Sequence, residues 1–214
     1  SISPLCLRAS PPAPGTLALV AGGPSFPTAS YAGTSFAGAA TTGRLQTLAT
    51  AAGLPVATVK AIHTVESQGR DNAVRFEPHR FLAARPDLRM FIPYTRSAKG
   101  AWSLITSETD DSAFLRAYLL DKKAAVESTS FGPFQVMGVY LLRRYPDPAT
   151  GVEAFRLQPG VVGDKLFADW LKDNRPILQA ARDQDWHTFA RRYNGKGQAA
   201  HYAGLLEAAH AAAA

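Results

Sequence analysis

A glutamate lies on the apolar side of a predicted helix, and this feature restricts the fold more than any other in the sequence. Pro55 suits the first turn of a helix, where its missing N–H is not needed. Val56, Val59 and Ile62 then recur at helical spacing. At roughly 100° per residue, Glu66 falls between Val59 and Ile62 on the same stripe. Its carboxyl group is therefore expected to point toward the protein interior.

The predicted helix ends directly after this glutamate, because Gly69 suits the left-handed conformation that closes many helices. Glu66 then lies in the last turn, at the negative end of the helix dipole. Burial and the dipole both disfavour the ionised carboxylate, so we expect the pKa of Glu66 to be raised. A carboxylic acid that stays protonated near neutral pH can act as a general acid. The alternative is a solvated glutamate near a helix end, with no chemical role.

Composition divides the chain into two parts. Residues 1–43 are rich in Pro, Gly, Ala, Ser and Thr and carry one charged residue, Arg8. Such a composition is typical of a linker or arm. Residues 44–214 are predicted to form one domain, since a chain of 214 residues supports one sizeable core. The arm also indicates an additional domain, or a delivery apparatus, on the N-terminal side of residue 1.

The pattern after residue 43 predicts a mostly α fold of seven or eight helices without a convincing sheet. Between Arg70 and Asp111 the periodicity is lost, and we expect a long irregular insertion. Aromatic residues are dense in this insertion, where Phe91 also lies. Four of them are expected to line the cleft or pack in the core: Phe76, Phe81, Tyr94 and Trp102. Ser112 is the predicted N-cap of the next helix, which Asp110 and Asp111 also help to cap.

Charge and cysteine content exclude several classes of function. The formal net charge is +6 and the sequence pI is about 9.6, which favours an anionic partner. The basic residues are scattered, which argues against a nucleic-acid-binding module. The single cysteine, Cys6, forms no internal disulfide and no cysteine-based zinc site. No apolar run reaches the roughly 20 residues of a membrane span. The histidines lack metal-ligand spacing, so no metal or other cofactor is expected.

Four separated segments of the sequence contain the residues that indicate a function. They are residues 65–69 (Val-Glu-Ser-Gln-Gly), 76–81 (Phe-Glu-Pro-His-Arg-Phe), 130–138 (Ser-Phe-Gly-Pro-Phe-Gln-Val-Met-Gly) and 185–195, which begin with Asp-Trp and end with Tyr-Asn-Gly. Together they resemble the phage-type N-acetylmuramidase domain of modular endolysins. That family belongs to the lysozyme-like superfamily, together with goose-type lysozymes and lytic transglycosylases. The resemblance covers roughly residues 45–206.

The resemblance implies a lysozyme-like domain that hydrolyses bacterial peptidoglycan at the β-1,4 bond between N-acetylmuramic acid and N-acetylglucosamine. Glu66 would be the general acid, and Glu77 the second carboxylate, acting as base or nucleophile. The alternative for Glu77 is a structural ion pair with an arginine nearby in sequence: Arg70, Arg75 or Arg80. Glu127 is a weaker rival to Glu66, because it also ends an apolar-faced helix and precedes a serine.

Six substrate-binding residues are expected by the same resemblance: His79, Ser130, Phe134, Gln135, Tyr193 and Asn194. Gln135 offers an amide to an N-acetyl group or to hydroxyls, or else it ties loops together inside the core. Tyr193 stacks on a sugar face or hydrogen-bonds the acid. His79 contacts the substrate or anchors its loop. Asn194 is expected in a turn that Gly195 completes.

Two other functions are compatible with the same residues. In a lytic transglycosylase, one glutamate acts as acid and then as base, and the product is an anhydro sugar. A catalytically inactive module would bind the wall or serve as a structural part of a virion. In each case the place of action is the bacterial cell wall or periplasm, reached by a phage, virion or secretion route.

Overall fold

The structure, a computed structural model, describes residues 35–96, 102–104 and 109–214. Within these ranges the fold is mostly α, as predicted, with eleven α-helices and two short 3₁₀ helices. The α-helices are α1 Ser35–Ala52, α2 Val56–Ser67, α3 Pro78–Ala84, α4 Asp110–Leu120, α5 Lys122–Glu127, α6 Val139–Arg144, α7 Pro148–Leu157, α8 Pro159–Asp173, α9 Arg175–Arg182, α10 Trp186–Tyr193 and α11 Ala199–Ala213. The 3₁₀ helices are Pro86–Leu88 and Lys196–Gln198.

Prolines explain why the helices outnumber the seven or eight that were expected. Helices α3, α7 and α9 each carry a proline in the first or second position, where its fixed φ and missing N–H suit a helix start. Pro78 lies where the helical periodicity is lost in the sequence, yet it opens α3. Helix α1 begins at Ser35, so residues 35–43 of the predicted arm are helical. The rest of that arm, with Arg8 and Cys6, lies outside the described residues.

Five short strands in the described ranges form two small antiparallel sheets, which the helical pattern did not predict. One sheet has the order β1-β4-β5, and the other pairs β2 with β3. Their bounds are β1 Val74–Phe76, β2 Tyr94–Arg96, β3 Trp102–Leu104, β4 Thr129–Phe131 and β5 Val136–Met137. Strands of two or three residues are too short to show an alternating pattern. The expectation of no sheet was therefore wrong, and the insertion is regular in part.

The start of α4 differs in detail from the prediction. Thr109, rather than Ser112, is the N-cap, since its hydroxyl oxygen accepts a hydrogen bond from the Ser112 N–H over 3.2 Å. Asp110 and Asp111 lie in the first helical turn. There they complement the positive end of the helix dipole, and their carboxylates are available for contacts outside the helix.

Phenylalanine rings dominate the core between the three-stranded sheet and the surrounding helices. Phe131 of β4 meets Phe114 and Phe155 edge to face, at centroid distances of 5.6 and 5.3 Å. Eight phenylalanines are almost completely buried: Phe76, Phe81, Phe114, Phe131, Phe134, Phe155, Phe167 and Phe189. Each buried ring contributes roughly 2–3 kcal/mol. Of the aromatic residues in the insertion, Phe76 and Phe81 therefore belong to the core, whereas Phe91 is 53% exposed.

No single helix among the described residues is both long and apolar enough to cross a membrane. Thr41–Ala52 and Val56–Ser67 reach that length and composition only when taken together, and they are bent by 116° at the break between them.

Candidate active site

Glu66 lies in the last turn of α2, half-buried, as the apolar stripe predicted. Val59 and Ile62 on the same helix are completely buried. The chain then leaves the helix through two left-handed residues, since Gln68 (φ 56°) takes the cap position expected of Gly69 and Gly69 (φ 75°) follows it. This reversal ends the helix one residue after the glutamate and places the carboxyl group beside the segment that leads to β1.

Burial raises the pKa of Glu66 to about 7, because removal of the carboxylate from water disfavours its charge. Two influences oppose that effect without cancelling it: the hydrogen bond from Asn194 and the positive charge of Arg75. A carboxyl group with this pKa is partly protonated at neutral pH. It can therefore give a proton to a leaving group and later take one back.

Asn194 approaches Glu66 from the far end of the chain. It follows the last residue of α10, and Gly195 (φ 92°) completes the turn, as predicted. The Asn194 Nδ2 donates a hydrogen bond to Oε1 of Glu66 over 3.1 Å. Within the described part of the protein, the buried Oδ1 of Asn194 has no hydrogen-bond partner. The amide thus orients the acid through one end and offers an acceptor at the other.

Tyr193 supports this turn and does not bond the acid. Its hydroxyl donates a hydrogen bond to the backbone carbonyl of Phe134, and its ring packs on Phe189 and Trp170, with centroid distances of 5.2 and 4.7 Å. Burial and the nearby charge of Glu66 raise the pKa of Tyr193 well above the usual value, so the hydroxyl remains a donor. The expected hydrogen bond from Tyr193 to the acid is therefore not formed, because a loop carbonyl takes the hydroxyl instead, and stacking of the ring on a sugar stays a prediction.

Three other expected substrate-binding residues build the 130–138 loop. The ring of Phe134 is fully buried and stacks on Phe167 at 4.2 Å. Ser130 is also buried, and its hydroxyl donates to the Met137 sulfur over 3.5 Å. Both residues were expected to bind the substrate because they lie in the segment that resembles the family motif, and that contact stays a prediction. Their short-range packing gives them a structural role.

Gln135 ties the loop to the segment between α2 and β1. Its Nε2 donates hydrogen bonds to the carbonyl oxygens of Ala73 and Gly132, over 3.2 and 3.0 Å. Gln135 adopts a left-handed backbone conformation (φ 48°), which is strained for a residue other than glycine. The structure thus supports the loop-tying alternative, and the half-buried side chain keeps its Oε1 for other partners.

Two glycines of the site are required by close backbone approaches. A Cβ at Gly138 would lie 1.9 Å from the carbonyl oxygen of Val126. A Cβ at Gly163 of α8 would lie 2.3 Å from Cδ of Pro133. The motif glycine at position 138 is therefore explained by packing of the loop against α5.

Glu77 is the N-cap residue of α3, directly after β1, and 18% of its side chain is exposed. Its Oε2 lies 2.7 Å from Nε of Arg80 and 3.6 Å from Nε2 of His79. Among the three arginines considered as ion-pair partners, the structure selects Arg80. Glu77 and His79 thus lie close together at the junction between β1, which contains Arg75, and α3.

The sequence did not predict Arg75 and Asp110 as residues near the proposed acid. Burial raises the pKa of Asp110, and the charge of Arg75 and a hydrogen bond from the Phe76 backbone oppose that rise. Arg75 also lowers the pKa of Glu66, so it lies within electrostatic reach of both carboxyl groups. The adjacent acidic residues were interpreted as helix caps, because no local pattern shows that α4 packs against β1.

No group of three or more His, Cys, Asp or Glu side chains within the described ranges is arranged to hold a metal ion.

The model of the N-acetylmuramidase family matches residues 55–214 of the chain. The crystal structure of the Burkholderia AP3 phage endolysin is similar over 80% of this chain and 69% of that protein, with a TM-score of 0.63 and 25% sequence identity. No curated protein sequence matches the chain. Helix α1 lies before the first residue of the family match.

Proposed function

The chain belongs to the N-acetylmuramidase family, as its four sequence segments predicted, and from this premise we propose that it hydrolyses peptidoglycan with Glu66 as the general acid. The bond cleaved would be the β-1,4 linkage between N-acetylmuramic acid and N-acetylglucosamine. The observation that carries the proposal is a half-buried carboxyl group, with a pKa of about 7, held by the amide of Asn194. It combines a proton available near neutral pH with a defined direction of transfer.

In the proposed reaction, Glu66 transfers its proton to the glycosidic oxygen as the bond from that oxygen to the anomeric carbon breaks. Positive charge develops on the sugar ring, and a second carboxylate either activates water or forms a covalent bond with the sugar. We assign this role to Glu77. It lies in the 76–81 segment that resembles the family motif, and Arg80 contacts its carboxylate over 2.7 Å.

The proposed substrate fits the charge of the protein. Peptidoglycan carries carboxylates on its peptides, and a net charge of +6 favours encounter with such an anionic polymer. This attraction is a rate effect that salt should weaken. We place the action of the enzyme in the bacterial cell wall. The match to a phage endolysin supports delivery by a phage, with a virion or secretion route as the other outcomes.

Glu66→Gln tests the assignment, with Glu127→Gln as the matched control. Both glutamates end a helix and precede a serine, but Glu127 is 39% exposed and pairs with Lys123. Glu66→Gln is expected to retain the fold and lose at least a thousandfold in turbidity clearance of purified walls, on the order of what loss of an essential proton donor costs. Glu127→Gln should keep normal activity. Equal activity of the two variants would refute the role of Glu66.

The products separate hydrolysis from transglycosylation. Mass spectrometry of digested walls should show muropeptides with a reducing muramic acid end. Products lighter by one water would identify a lytic transglycosylase. In that case Glu77→Gln should also retain activity, since one glutamate would act as acid and then as base. Wall binding without any soluble product would identify the inactive wall-binding or virion structural module.

A further inference from the structure

Arg44 of α1 joins three parts of the structure from outside the family match. Its Nη1 donates hydrogen bonds to a carboxylate oxygen of Asp164 and, over 3.0 Å, to the carbonyl oxygen of Gly160 in α8. Its Nη2 lies 2.5 Å from Oδ1 of Asp71, in the segment between α2 and β1. One guanidinium therefore connects α1, α8 and the segment that follows Glu66.

The contact is built into the packing and is not a surface ion pair. The side chains of Arg44 and Asp164 are only 15% and 12% exposed. A Cβ at Gly160 would lie 2.9 Å from Cζ of Arg44 and 2.8 Å from Oδ2 of Asp71, so only glycine leaves room for the pair. Burial raises the pKa of Asp164 to about 6, although the charge of Arg44 acts in the opposite direction. Buried charges of this kind depend on their partners.

Asp71 also contacts α2, the helix that carries Glu66. Its Oδ1 lies 3.2 Å from Nε2 of His63, which precedes Glu66 by one helical turn. The carbonyl oxygen of His63 in turn accepts hydrogen bonds from the Ser67 hydroxyl, over 2.9 Å, and from the Gly69 N–H, over 3.4 Å. Both bonds hold the residues on either side of the turn that ends α2.

The same segment is tied on its other side to the 130–138 loop. The carbonyl oxygen of Ala73 accepts hydrogen bonds from the Gly132 N–H and from the Gln135 side chain, over 2.8 and 3.2 Å. Between the end of α2 and the anchors at Asp71 and Ala73, the residues Gln68, Gly69 and Arg70 are exposed. Within this segment, Asp71 is therefore the residue nearest to Glu66 in sequence that another helix holds.

We propose that Arg44 is a positioning residue for Glu66, and that α1 is therefore part of the catalytic unit although it precedes the family match. This inference rests on the proposed role of Glu66. Arg44 does not touch the substrate. It holds Asp71, and Asp71 contacts His63 of α2. These contacts keep the end of α2 in place, so that the Glu66 carboxyl group can accept the hydrogen bond from Asn194.

The test compares Arg44→Met with Arg182→Met. Arg182 also anchors α1, by donating to the carbonyl oxygens of Ala52 and Gly53, but it does so at the opposite end of α1 from Arg44. Arg44→Met should lower kcat by about tenfold to a hundredfold, which is what a misplacement of around 1 Å can cost. KM should stay within about twofold. Arg44→Lys should restore part of kcat, because a point charge reaches one carboxylate but not both.

Amide hydrogen exchange gives a readout that does not depend on activity. Residues 68–73 should exchange faster in Arg44→Met and at the wild-type rate in Arg182→Met. If Arg44→Met does not fold, Asp71→Asn is the second variant, since it keeps the shape of the side chain, removes its charge and replaces one acceptor oxygen by an NH2 donor. A wild-type kcat and wild-type exchange in either folded variant would overturn the inference. An inactive wild-type enzyme would overturn the proposed function instead, and the exchange data would still decide the role of Arg44.

Discussion

The Asn194 side-chain amide donates a hydrogen bond to the Glu66 carboxyl group over 3.1 Å, although 128 residues separate the two in sequence. Desolvation of Glu66 raises its pKa, and this bond lowers it. The balance leaves a pKa of about 7, where the acid and its conjugate base are both populated. The turn that carries Asn194 thus orients the proposed proton donor and limits the rise in its pKa.

The pH dependence of activity should follow this pKa. Because the general acid must be protonated, kcat on purified walls is expected to be highest below pH 7 and to fall tenfold per pH unit well above about 7. The measurement is a rate profile from pH 5 to 9 at constant ionic strength. A profile that is flat across pH 6–8 would contradict the assignment, whereas Glu127→Gln should leave it unchanged.

The same carboxyl group should make the fold less stable as pH rises. The folded protein binds the Glu66 proton more tightly than the unfolded chain, so stability falls between pH 4.5 and about 7 and then stays level with respect to this group. The change corresponds to roughly 3 kcal/mol at most. Glu66→Gln has no such charge, so its advantage in free energy of unfolding over the wild type should be larger at pH 8 than at pH 5. Denaturant unfolding at both pH values measures it.

Substitution of Asn194 should change acidity as well as rate. Asn194→Ala removes the bond that favours the ionised carboxylate, so the pKa of Glu66 should rise and the upper limb of the pH profile should move to higher pH. At low pH, kcat should still fall by about tenfold, because the carboxyl group loses its orientation. Asn194→Asp adds a like charge and should move the limb further. An unshifted limb in both variants would show that the bond is not formed in solution.

Tyr193→Phe should cost stability more than it costs activity. The substitution leaves the buried carbonyl oxygen of Phe134 without its donor, a loss of about 1–3 kcal/mol. The aromatic contacts with Trp170 and Phe189 are kept. Thermal unfolding checks the change, with Tyr202→Phe in α11 as the control, which should unfold close to the wild-type temperature. A catalytic tyrosine would show the reverse pattern, with normal stability and a large loss of kcat.

Gly138→Ala should destabilise the protein by roughly 3 kcal/mol, because the new Cβ overlaps the Val126 carbonyl oxygen and overpacked sites shift the backbone. Gly204→Ala is the matched control, since a Cβ there meets nothing within 4 Å and the residue lies inside α11. That control should gain about 0.5–1 kcal/mol from helix propensity. Urea unfolding of both variants measures the difference, and similar midpoints would contradict the packing argument.

Elements with a local signal were predictable. The stripe of Val59 and Ile62 placed Glu66 toward the interior, and desolvation then raises its pKa in the direction expected. Gly195 predicted its turn, because glycine adopts a positive φ at little cost and this preference belongs to the residue itself. Helices that begin at prolines within mixed sequence were missed, because the proline was interpreted as a break and not as a start.

Elements that depend on distant partners were not predictable. The strands β1, β4 and β5 are two or three residues long and exist because they pair with one another. Phe134 and Ser130 lie in a motif expected to face the substrate, yet their side chains are buried. Asp110 was assigned to a helix cap, and only the packing of α4 on β1 brings it near Arg75.

By itself, the sequence determined the family, the mostly helical fold and the identity of the half-buried glutamate, because helical periodicity and motif spacing are local properties of the chain. Tertiary structure alone decided that Asn194 holds Glu66, that Tyr193 bonds a loop carbonyl, and that Arg44 reaches Asp71 from a helix outside the family match. These contacts join residues 27 to 128 positions apart. Their geometry follows from how whole elements pack, which no local pattern encodes.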